Sequence, residues 1–141
     1  MAPKYLSLAV LAFGTTIAVA QNFHLKDGDR VVFYGDSITD QRLYTTFTEI
    51  FALTRFPNRR IAFTHSGWGG DRVTGGGGGG INERLASDVV AYNPTVVTIM
   101  LGMNDGRSRA FDQQIFDIYS GGLRNIAKSF PIASIRARPG T

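Results

Sequence analysis

Apolar residues in this chain alternate between short unbroken runs and longer stretches with helical spacing. The run Val31-Val32-Phe33-Tyr34 is apolar throughout, as a central parallel strand covered on both faces should be. From 41 to 56, Leu43, Tyr44, Phe47, Ile50, Phe51 and Leu53 recur mostly at three- and four-residue intervals, which predicts an amphipathic helix stopped by Pro57-Asn58. A second strand is predicted over 61–64 and a second helix through Ile81, Leu85, Val89 and Tyr92, ended by Asn93-Pro94. The run 95–101 predicts a third buried strand. Phe111, Ile115, Ile118, Tyr119, Leu123, Ile126 and Phe130 trace a third helix, weakened at Gly121-Gly122. Residues 134–138 read as the start of a fourth strand that Pro139-Gly140 cuts short. Three strand–helix repeats imply right-handed crossovers and a three-layer α/β fold around a parallel sheet.

The six-glycine run 75–80 interrupts this pattern. Its composition predicts a mobile surface loop, since glycine loses the most freedom on ordering. A phosphate-cradling loop would need a following lysine with serine or threonine, and none is present.

Composition narrows the class. At 141 residues the chain holds one domain, and 43% hydrophobic against 18% charged residues predicts a packed core rather than disorder. The net charge of +4 is scattered, with Arg59-Arg60 the longest basic cluster, so a solvated face is the reading and a nucleic-acid partner is not expected. Lys4, the apolar stretch that follows, and Ala18-Val19-Ala20 before Gln21 have the form of a secretory signal peptide cleaved after Ala20. The mature domain is then 21–141, secreted or periplasmic, without a membrane span. There is no cysteine, so packing alone must stabilise it after export.

Each predicted strand ends in a loop of small and polar residues: Asp36-Ser37, then Gly69-Gly70-Asp71, then Asn104-Asp105. In a parallel sheet these loops converge on one edge, where open α/β folds place their ligands. A serine, a glycine N–H and an asparagine amide supply one nucleophile and two oxyanion donors, the needs of acyl transfer. Here the chain resembles the SGNH, or GDSL, hydrolase family. Its first block stands as Gly35-Asp36-Ser37-Ile38-Thr39, its second as Gly67-Trp68-Gly69-Gly70-Asp71-Arg72, its third as Gly102-Met103-Asn104-Asp105.

The resemblance implies a flavodoxin-like three-layer fold and carboxylic ester hydrolysis without metal or cofactor. It implies Ser37 as nucleophile and Gly70 and Asn104 as oxyanion-hole donors, with Asp36 placing the turn and Asp105 bracing the third loop. Turn and capping chemistry explains both aspartates equally well. Small-molecule or carbohydrate esters are the implied substrates, and Trp68 either stacks on a sugar ring or packs under its loop. The chain departs from the family in one block: Asp-x-x-His, the source of base and orienter, is absent, and the only histidines are His24 and His65. Both read as structural. The ending is accordingly read as a truncation lacking the family's C-terminal strand and helix. The reading of another class is a relic or glycan- or acyl-binding module that keeps the pocket without the chemistry. A nucleotide-binding domain is disfavoured, because no Gly-x-Gly-x-x-Gly follows the first strand.

Overall fold

The computed structural model describes residues 23–130. The predicted signal peptide and the predicted strand at 134–138 lie outside the described residues.

Three parallel strands form the sheet: β1 (Arg30–Gly35), β2 (Ala62–Gly67) and, after a short glycine hairpin, β5 (Val96–Met100). Their order is β2-β1-β5, so β1 is hydrogen-bonded on both sides, with Phe33 opposite His65 on one flank and Thr98 on the other. A four-residue helix α1 (Ser37–Asp40) follows β1, and α2 (Leu43–Arg55) leads to β2. Next come α3 (Ile81–Asp88), α4 (Met103–Gly106) and α5 (Gln113–Lys128).

Strand pleat explains the two cores, because successive side chains point to opposite faces. Val32 and Tyr34 pack with Val73, Leu85, Val89 and Ile126, beneath α3 and α5. Val31 and Phe33 pack with Ile61, and with Tyr44 from α2, on the other face. Helices on both faces of a parallel sheet make the three layers expected from the sequence.

Four local expectations need correction. The helix read over 41–56 begins only at Leu43, because Arg42 adopts a left-handed conformation (φ 60°). Its apolar stripe is also not its buried face: Leu43, Phe47, Ile50, Phe51 and Leu53 are exposed, and the helix buries Thr45 and Ala52 instead. The second helix ends at Asp88 and passes into a 3-10 turn, Val90–Tyr92, before Asn93 reverses the chain (φ 48°). Gly121-Gly122 does not interrupt α5, and a Cβ on Gly122 would stand 2.4 Å from Val73 Cγ2. Glycine there lets the helix approach the 68–74 loop.

The glycine run differs most from expectation. It forms a hairpin of two short strands, β3 (Gly75–Gly76) and β4 (Gly79–Gly80), with Gly75 opposite Gly80. Side chains would not fit: a Cβ on Gly75 would lie 2.4 Å from the Gly79 carbonyl oxygen, and one on Gly76 2.6 Å from Asp71 Oδ1. The hairpin ends where Glu83 accepts the Gly80 N–H at 3.1 Å and opens α3.

Candidate active site

Ser37 is the first residue of α1, delivered directly from the end of β1 and only partly buried. Asp36 caps that helix: its Oδ1 accepts the Ile38 N–H at 3.0 Å, and its own N–H donates to the Met100 carbonyl at 3.2 Å. The serine's position is thus fixed from two strands at once. Gly35 makes this closeness feasible, since a Cβ there would meet Thr39 Oγ1 at 2.2 Å and the Met100 oxygen at 2.6 Å.

The second loop leaves β2 through a turn in which the Asp71 N–H donates to the Trp68 carbonyl at 3.2 Å. Gly70 holds the third position with φ +79°, the value a type II turn demands of that residue. Nothing lies within 4 Å of where its Cβ would be, so this glycine faces open space. Gly67, by contrast, is needed for packing, because a Cβ there would come 2.1 Å from the Asp40 nitrogen.

Asn104, in α4, joins the three loops. Its Nδ2 donates to the Asp71 carbonyl at 2.9 Å and stands 3.5 Å from Asp36 Oδ2. An amide nitrogen has two hydrogens. One is committed to the Asp71 backbone, and the other has only the distant Asp36 contact. Asp105 is buried, and its Oδ1 accepts the Val73 N–H at 3.1 Å, which ties the third loop to the second. Burial pushes its carboxyl above the ordinary carboxylate range, against the pull of backbone donors and Arg72. The structure therefore brings Asp36, Ser37, Asn104, Asp105 and the Gly70 turn into one region at the carboxyl edge of the sheet.

The sequence reading missed what anchors the second loop. Asp71 is fully buried, and its Oδ2 accepts from Arg84 Nε at 3.0 Å and lies 3.5 Å from the Tyr34 hydroxyl. Arg84, itself buried, also pairs with Asp88 and lies 5.3 Å over the rings of both Tyr34 and Trp68. Burial, with the Asp71 charge beside it, raises the Tyr34 hydroxyl to about 12. The glycine hairpin covers this group, with Gly76 against Asp71 and Gly78 against Arg84 and Trp68. One signal was available: an arginine at the fourth position of a helix that directly follows the glycines. Trp68 packs one side on Arg84 and keeps half its surface exposed.

The histidines stand apart. His24 is exposed ahead of β1. His65 engages α2 through both ring nitrogens, Nδ1 with Thr45 Oγ1 at 2.7 Å and Nε2 with Glu49 Oε2 at 3.1 Å. It is built into the α2–β2 contact rather than the Ser37 site. Among the described residues, no cluster of three or more histidine, cysteine or acidic side chains could hold a metal, and no helix is long and apolar enough to cross a membrane.

Residues 33–140 match the GDSL-like lipase/acylhydrolase family, and the chain belongs to that family. Among solved structures it is similar to BT4096, a gut microbial diltiazem-metabolizing enzyme, at 34% identity and a TM-score of 0.64 over 75% of this chain and 25% of that one. It is also similar to Axe2, an acetylxylan esterase from Geobacillus stearothermophilus, at 26% identity and a TM-score of 0.61 over 74% of this chain and 55% of that one. The chain thus spans a quarter and about half of these two proteins. No match was found among curated proteins. The family match and these neighbours agree on the SGNH-type fold, a parallel sheet with helices on both faces.

Proposed function

We propose that this chain carries the nucleophile and oxyanion hole of a secreted or periplasmic serine ester hydrolase acting on acyl groups, including acetyl groups on carbohydrate. The observation that carries the reading is the Asn104 amide, which links the Asp71 backbone to the Asp36 side beside Ser37. Ser37 Oγ attacks the ester carbonyl carbon as its proton passes to a base, which in the test below is added imidazole. The carbonyl electron pair moves onto oxygen, where the Gly70 N–H, the second Asn104 hydrogen and the Ser37 N–H, unpaired at a helix start, receive the negative charge. Collapse of that intermediate, with the proton returned from the base to the leaving oxygen, expels the alcohol and leaves an acyl-serine for water to hydrolyse. Asp36 and Asp105 position the donor loops.

Axe2 supports the serine chemistry by likeness, since replacing a serine, an aspartate or a histidine by alanine gives catalytic mutants of that enzyme. In this chain the proton acceptor is the open part: His65 is committed to Thr45 and Glu49. That commitment favours a second reading, a binding module for acyl or glycan groups on the same scaffold. Exposure to p-nitrophenyl acetate with imidazole as external base separates the two. The hydrolase reading expects an acetyl group on the peptide containing Ser37, absent in Ser37→Ala. Acetylation confined to lysines would leave the binding module.

A further inference from the structure

Beside the Ser37 site lies a cleft of about 220 Å3 lined by Arg72, Thr74, Asp105, Arg107, Ile115 and Ile118. Two of its walls come from the same loops that carry the proposed oxyanion donors: Arg72 and Thr74 follow Gly70, while Asp105 and Arg107 follow Asn104. α5 supplies the apolar floor through Ile115 and Ile118.

The charges here are unbalanced. Arg72 and Arg107 are exposed, and neither guanidinium forms an ion pair or hydrogen bond among the described residues, although the Arg72 charge draws on the nearby Asp105. The only carboxyl in the lining is Asp105, which is buried and uses one oxygen on the Val73 N–H. Its other oxygen, Oδ2, is buried with no partner among the described residues. A buried orphan oxygen is costly, and a ligand able to bond it removes that cost. Two unpaired guanidinium groups add donors whose planar geometry suits a carboxylate. Arg72 and Arg107 outweigh the lone, proton-favouring Asp105, so the cleft gains by taking up a negative group.

We infer that this cleft is a subsite for a carboxylate borne by the ester substrate, held between Arg72 and Arg107 with its carbon skeleton on Ile115 and Ile118. The inference rests on the hydrolase reading for the word substrate, and it narrows that reading to acidic esters such as those on uronic-acid-bearing oligosaccharides. Asp105, when protonated, donates from Oδ2 to the bound group; when ionised, it opposes the same group. Binding therefore weakens as pH rises through the Asp105 titration, which burial and the Asp36 carboxylate push up and the Val73 N–H and Arg72 draw down.

The test is a titration of the chain with glucuronate, with glucose as the neutral control, following the side-chain Nε–H signals of Arg72 and Arg107 by NMR. Glucuronate is expected to shift both signals to saturation and glucose to leave them unmoved. Arg107→Gln is expected to weaken glucuronate about tenfold, the loss of one charge-assisted hydrogen bond. Asp105→Asn is expected to flatten the pH dependence. Equal response to glucose, unchanged affinity in Arg107→Gln, or tighter binding of inorganic phosphate than of glucuronate would each overturn the inference. A second arm compares p-nitrophenyl hemisuccinate with p-nitrophenyl butyrate in the presence of imidazole. Glucuronate binding without Ser37-dependent turnover of either ester sinks the hydrolase and keeps the anion site. Turnover of the neutral ester without glucuronate binding does the reverse.

Discussion

β1 and β5 look alike in sequence and differ in the structure. Both are apolar runs of similar length, yet Val32 and Tyr34 in β1 are fully buried, whereas Ile99 and Met100 in β5 are 36% and 41% exposed. The difference lies in their neighbours: β1 is paired on both sides, and β5 pairs with β1 alone among the described residues. The two strands feed the same site. Ser37 rides on the best-packed strand of the fold. Asn104 follows the less covered strand and is held by polar contacts to Asp36 and Asp71 instead of by sheet pairing. The lesson is that one side of the site is rigid through apolar burial and the other through a buried polar network centred on Asp71 and Arg84.

The largest expected effect tests that network. Arg84→Ala leaves the Asp71 carboxylate buried without its cation, a loss of about 3–5 kcal/mol in urea unfolding. A cost near zero would mean that the network is not what holds the second loop. Val32→Ala in the centre of β1 is expected to cost about 2 kcal/mol, while Ile99→Ala in β5 costs well under about 1 kcal/mol. Equal costs would erase the contrast between the strands.

Asp105 gives the smallest and most specific effect. Its folded carboxyl titrates above the ordinary range, so its contribution is complete at acid pH and is lost as pH rises through the raised value. Asp105→Asn keeps an acceptor for the Val73 N–H and removes that loss. The stability of Asp105→Asn relative to the parent should therefore increase from about pH 4 upward, read from unfolding midpoints across pH. A constant difference would show that Asp105 is not destabilised by ionisation.

Much of this was legible in the chain. Continuous apolar runs marked the three strands, because parallel strands buried on both faces need such runs. The loops after them carried Ser37, Gly70 and Asn104, and the topology alone placed these on one edge. Burial was less legible. The stripe Leu43, Phe47, Ile50 looked like the inner face of α2, but periodicity reports that a helix has an apolar side, not which side a neighbour covers. The hexaglycine hairpin was also hidden, since its order comes from close approach to Asp71, Arg84 and Trp68, contacts that no local pattern encodes. The Arg72–Arg107 cleft escaped for the same reason, its two arginines lying on different loops.

The central claim, that Ser37 is the nucleophile of an ester hydrolase, is tested most directly by the rate of p-nitrophenyl acetate hydrolysis against imidazole concentration. The parent chain is compared with Ser37→Ala and Asn104→Ala, each first shown to be folded by circular dichroism. The account predicts an increment over free imidazole that requires Ser37 and that falls roughly 10²–10³-fold without the Asn104 donor. Identical rates for the parent and Ser37→Ala at every imidazole concentration would contradict it.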